Sequence, residues 1–127
     1  MRVDRALDGG EPNGPTGLRG LSANGRYVLM FSLATNLVAT DANNASDVFV
    51  YDRQLGTTTR ADLTADGSEA NLGADEAGFP SISPDGSVVG FDSASTNLVP
   101  GGTNGINQVF VRLLGPTPPR GPVARMR

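Results

Sequence analysis

The chain of 127 residues contains no Cys, no His, no Trp and no Lys. Without Cys there is no disulfide, no iron–sulfur ligand and no thiol nucleophile. Without Cys and His the common zinc sites and imidazole acid–base catalysis are excluded, and a Ser–His–Asp triad cannot be assembled from this chain. Without Lys there is no Schiff-base amine and no P-loop lysine. Long apolar runs are missing too. No stretch approaches the roughly eighteen residues that span a bilayer, so no membrane insertion is expected. The segment from Met1 to Pro12 has no apolar h-region, so no signal peptide is expected in this chain. A basic excess is also lacking: ten Arg stand against thirteen acids, a net charge of −3, which argues against a nucleic-acid surface. Carboxylates, hydroxyls and Arg are what remain for chemistry, and the chain is read as not an enzyme.

What is present is a high density of turn formers. Gly, Pro, Asn and Asp together supply more than a third of the chain, and ten of the thirteen acids are Asp. Asp favours turns and caps over helix interiors. Short strands joined by many turns, an all-β fold, follow from this composition.

An internal repeat organises those strands. Displacing the chain by 61 residues aligns 22–53 with 83–114 without a gap, and 12 of 32 positions are identical. Among them are Ser22/Ser83, Gly25/Gly86, Val28/Val89, Thr35/Thr96, Asn36/Asn97, Val48/Val109, Phe49/Phe110 and Val50/Val111. A displacement of 58 pairs 2–13 with 60–71 and matches Arg2/Arg60, Asp4/Asp62, Asp8/Asp66, Gly9/Gly67, Glu11/Glu69 and Asn13/Asn71. Residues 1–63 are therefore expected to form a first unit, residues 64–114 a second, and the Pro/Arg-rich residues 115–127 a disordered tail. Within the units the expected strands are 20–22 and 80–83, 27–31 and 88–91, 47–52 and 108–113, and 57–63, with 2–7 as the counterpart of the last. The fold class predicted is two four-stranded antiparallel propeller-type blades.

The sequences Ser22-Ala23-Asn24-Gly25 and Ser83-Pro84-Asp85-Gly86, the Thr-Asn-Leu-Val of 35–38 and 96–99, and the Val-Phe-Val of 48–50 and 109–111 carry a resemblance. They resemble the TolB-like, WD-like propeller repeats of bacterial proteins, from about Arg2 to Leu114. The resemblance implies a scaffold for protein or small-ligand partners and suggests the bacterial periplasm or cell envelope. Two blades fall short of the roughly four to eight that close a propeller. Either the chain belongs to a larger propeller, or a homo-oligomer of three or four copies completes the ring. Val48, Val50, Val109 and Val111 are the expected inter-blade or intra-blade core.

Candidate chemistry is sparse. Asp41, Asn43 and Asp47 place oxygen ligands at positions one, three and seven of a short loop, a pattern that a Ca²⁺ ion could use. The equivalent loop of the second unit lacks both carboxylates, and an Asx-turn is the competing reading. No other cofactor is expected. Asp62, Asp66, Glu69, Asp75 and Glu76 crowd the connection between the units and read as a solvated acidic loop rather than a carboxylate pair for glycoside hydrolysis. Arg26, Arg53, Arg60 and Arg112 stand beside strand ends, where pairing with Asp is the ordinary role. The aromatic residues read as core. The function expected is a non-catalytic binding or scaffold module, with recognition in the loops 38–47 and 99–108. The alternative is the propeller portion of a larger enzyme such as a prolyl-oligopeptidase-like hydrolase.

Overall fold

A computed structural model of the chain describes residues 1–39, 41, 45–64, 66–72 and 80–114. Among them there are seven strands and no helix: β1 (Thr16–Leu21), β2 (Tyr27–Ser32), β3 (Asp47–Asp52), β4 (Thr57–Arg60), β5 (Ser81–Ile82), β6 (Val88–Ser93) and β7 (Gln108–Leu113). They form two antiparallel sheets, one of four strands in the order β1-β2-β3-β4 and one of three in the order β5-β6-β7. The expectation of two four-stranded sheets is thus corrected to four and three. Residues 2–7 are not a strand, and β4 ends at Arg60, so 61–63 are connector. These two departures have one cause. Under the displacement of 58, residues 2–7 match 60–65, of which only Arg60 belongs to a strand.

The repeat is reproduced bond by bond. In the first β-turn the Ser22 N–H donates to Tyr27 O (3.0 Å), and the Tyr27 N–H donates to Ser22 Oγ (3.0 Å). In its counterpart Ser83 and Val88 make the same pair at 2.9 and 3.0 Å. Each turn closes on a glycine with positive φ, +72° at Gly25 and +77° at Gly86, a conformation that only glycine adopts without strain. A second repeated device ties each connector to its sheet. Asn13 donates from Nδ2 to Thr35 Oγ1 (2.8 Å) and accepts from the Thr35 N–H (2.8 Å). Asn71 does the same with Thr96 (2.7 and 3.0 Å).

Alternation along the strands assigns two faces to each sheet. In the first sheet Leu29, Phe31, Val48 and Val50 share one face, and Val28, Met30 and Phe49 share the other. The first face packs against Val89, Phe91 and Leu98 of the second sheet, with Ile82 and Phe110 at its margin, to form the larger core. Val89, Phe91 and Phe110 are the repeat equivalents of Val28, Met30 and Phe49, so like faces do not meet. The sheets stack front to back. Val48 and Val50 are buried here, as expected, whereas Val109 and Val111, on the corresponding face of the second sheet, are 75% and 50% exposed. The turn sequences touch across the junction: the Ala23 N–H donates to Pro84 O (2.8 Å).

Candidate functional site

The ionisable residues that the sequence singles out converge on one buried guanidinium. Arg60 closes β4, opposite Phe49 of β3, and its side chain turns back toward the start of β3. Its Nη2 donates to Asp47 Oδ1 (2.7 Å), its Nε to Asp62 Oδ1 (3.1 Å) and its Nη1 to Glu69 Oε1 (2.6 Å). Asp41 stands beyond, with Oδ1 3.8 Å from Nη1. Asp62 Oδ1 also accepts the Val48 N–H (3.2 Å), while the Ala61 N–H donates to Val48 O (2.7 Å), so the connector takes up both backbone groups of Val48, one by side chain and one by backbone. The side chains of Arg60, Asp47 and Asp62 are almost completely buried. The expectation of a solvated acidic loop therefore does not hold for Asp62 and Glu69. Asp75 and Glu76 lie outside the described residues.

Four carboxylates around one guanidinium leave a local excess of negative charge in a poorly solvated place. Burial, followed by the charge of Asp47, pushes the Asp41 carboxyl up to about 7. Burial also pushes Asp62 above the ordinary carboxylate range, against the lowering influence of Asp47 and Arg60. For Arg60 burial opposes the charge, but Asp62, Glu69 and Asp47 outweigh it and hold its pKa above the ordinary value. The cluster thus raises the proton affinity of Asp41 while Arg60 donates to the other three carboxylates.

Asp41 and Asp47 thus come together as the loop pattern suggested, and Asn43 lies outside the described residues. Arg60 donates to both Asp47 and Asp62. Among the described residues no group of three or more acidic side chains is arranged to hold a metal ion. The other Arg candidates are engaged within the fold. Arg26 grips Asp52 through Nε and Nη2 (both 2.8 Å), Arg53 donates to Gly25 O (2.7 Å), and Arg112 reaches the carbonyls of Leu63 and Thr64 (3.3 and 3.1 Å). Asp66 accepts from the Thr64 hydroxyl and the Ser68 N–H, and these bonds draw its pKa down to about 2.

Two shallow clefts open beside the connector. One, of about 270 Å³, is lined by Val38, Arg60, Leu63, Gly67, Ser68 and Glu69. The other, of about 360 Å³, is lined by Thr64, Asp66, Ser68, Asn97, Leu98 and Val99. Val38 and Val99 begin the two loops in which the sequence places recognition, and exposed Ser68 belongs to both clefts. The Asn13–Thr35 and Asn71–Thr96 clamps were not singled out from the sequence, although their members are identical in both repeats. Joint retention of Arg2/Arg60, Asp4/Asp62 and Glu11/Glu69 was the signal for the ion cluster.

The fold is that of a two-sheet antiparallel β protein built on an internal repeat. Comparison of the chain with protein-family models, curated proteins and solved structures found no match. Among the described residues no helix is long and apolar enough to cross a membrane.

Proposed function

We propose that the chain is a non-catalytic binding or scaffold module of the TolB-like propeller type, taking a protein or small ligand through the loops and connector at one end of its sheets. The observation that carries this reading is the adjacency of the two clefts. They share Ser68, present hydroxyl, amide and carboxylate groups around apolar floors of Leu63 and Leu98, and begin at the loops after Leu37 and Leu98. A few polar groups around an apolar floor on a rigid scaffold is the usual composition of a binding surface. The ion cluster beneath them serves the scaffold, since Arg60 is committed to three hydrogen-bonded carboxylates.

The test is a peptide and glycan array probed with the purified chain, run beside a panel of ester, peptide and glycoside substrates. Retention on the array that Ser68→Trp abolishes, without turnover, is the expected result. Absence of retention on every surface, or turnover that Asp62→Asn removes, overturns the proposal.

A further inference from the structure

The two outer ends of the stacked sheets are complementary, and the junction inside the chain shows how. At that junction the segment 60–69 seizes the outer edge of β3: Ala61 and Asp62 bond to both backbone groups of Val48, and Arg60, Asp62 and Glu69 form the ion cluster beside them. Both halves of this arrangement occur again, unjoined. The first half is the segment 2–11. Arg2 Nε donates to Asp4 Oδ1 (2.9 Å) and its Nη1 to Glu11 (2.6 Å), as Arg60 Nε donates to Asp62 and its Nη1 to Glu69; Nη2, which in Arg60 reaches Asp47, here turns to Glu11 as well (2.9 Å). Unlike Arg60, Arg2 is exposed. The second half is β7, which among the described residues forms one edge of its sheet. Its register on β6 repeats that of β3 on β2, Asp92 opposite Val109 as Phe31 is opposite Val48. The backbone N–H and C=O of Val109 therefore point to the open edge, as those of Val48 point to Asp62 and Ala61.

We propose that β7 of one copy of this chain docks against the Arg2–Asp4–Glu11 segment of a second copy, repeating between molecules the junction that the chain makes within itself. Val3 and Asp4 then bond to Val109 as Ala61 and Asp62 bond to Val48, and Gln108 meets Arg2 where Asp47 meets Arg60. Val109 and Val111, exposed in the single chain, come to lie where Val48 and Val50 lie. Leu21, 57% exposed and equivalent to the packed Ile82, is covered on the other side. The contact is head to tail, so it propagates or closes into a ring according to the angle between copies. Gly90 and Asp92 stand where Leu29 and Phe31 do, which shrinks the apolar part of the interface. Association at or above about 10 µM follows from so reduced a contact. This inference goes beyond the binding-module reading and stands on the repeat alone, whatever the loops bind.

Sedimentation velocity on the full chain, from about 10 µM to 1 mM, tests it. The expected mass rises to at least twice that of the monomer. Arg2→Glu and Val109→Asp, both at exposed positions, leave the circular dichroism spectrum unchanged and each weaken association by about 10-fold or more. An equimolar mixture of the two variants associates again, because it pairs one intact segment with one intact β7, and it stops at the dimer. A monomer at every concentration, or association indifferent to both variants, overturns the proposal. A monomer whose β7 amides are protected from hydrogen exchange overturns it as well, and assigns the edge to chain following Leu114. Array binding lost at Ser68→Trp is a separate readout, so failure of one reading is distinguishable from failure of the other.

Discussion

Gly86 and Gly25 occupy the same place in the two repeated turns and share the same left-handed backbone, yet their surroundings differ. A Cβ on Gly86 would overlap the ring of Tyr27, which packs over it from the first sheet, whereas a Cβ on Gly25 would meet only Arg53 Nη1 at 3.5 Å. Gly25→Ala is expected to cost about 1 kcal/mol, the strain of the left-handed conformation. Gly86→Ala adds overpacking to that strain and should cost about 3 kcal/mol or more. Urea denaturation of the two variants gives the comparison, and Tyr27→Ala should recover part of the loss in Gly86→Ala alone. Arg60 and Arg2 make a second such pair. Arg60→Met strands buried carboxylates and should destabilise the chain by about 3–5 kcal/mol. Arg2→Met, at an exposed ion pair, should leave monomer stability nearly unchanged. Equal losses at the two sites would contradict the burial described for Arg60.

The elements differ in how completely the rest of the chain encloses them. β3 lies between two strands and is buried along almost its whole length, whereas β7 alternates between half-buried and exposed residues and, among the described residues, has a strand on one side only. Amides of β3 should therefore exchange at least about 10-fold more slowly than those of β7 in dilute protein, measured by hydrogen exchange with mass spectrometry. Both strands were fully legible: Val-Phe-Val flanked by polar residues gives the bounds 47–52 and 108–113 as the structure has them. Residues 2–7 were misread because a strand needs an edge to pair with, and a sequence copy of a connector carries no partner. The burial of Arg60 was not legible at all. Its alignment with Arg2 gives both side chains an Asp and a Glu at the same spacings, and both make those two bonds, but exposure depends on what surrounds them. The two Asn clamps escaped notice for another reason, since Asn between turns reads as a turn former whatever else it does.

For the whole molecule the opposing shifts of the acids set a stability profile. Asp41 titrates near 7 in the folded chain against an ordinary value of 3.8, so its contribution is complete below about pH 4 and is lost as the pH rises through 7. Asp52 is held below its ordinary value, first by Arg26, and Asp85 by the Ser87 hydroxyl and N–H. Contributions of that sign are present above about pH 4 and are lost on acidification. Maximal stability is expected near pH 4, with the melting temperature falling between about pH 4 and 7 and changing little above that. Asp41→Asn should reduce this limb and leave the acid limb unchanged, raising stability at pH 8 by about 1–2 kcal/mol by removing a poorly compensated buried charge, while Asp62, also raised, keeps the remainder. An alkaline limb unchanged in that variant would mean that Asp41 is not its source.

Asp47, Arg60, Asp62 and Glu69 follow one another closely in the chain, all of them ahead of Val89 and Phe91. Ala61 and Ala70, on either side of the connector, pack with those later residues. Pairing of the charges therefore closes only short loops, whereas packing Ala61 and Ala70 against Val89 and Phe91 draws in the more distant second sheet, so the connector joins the local and the long-range halves of the fold.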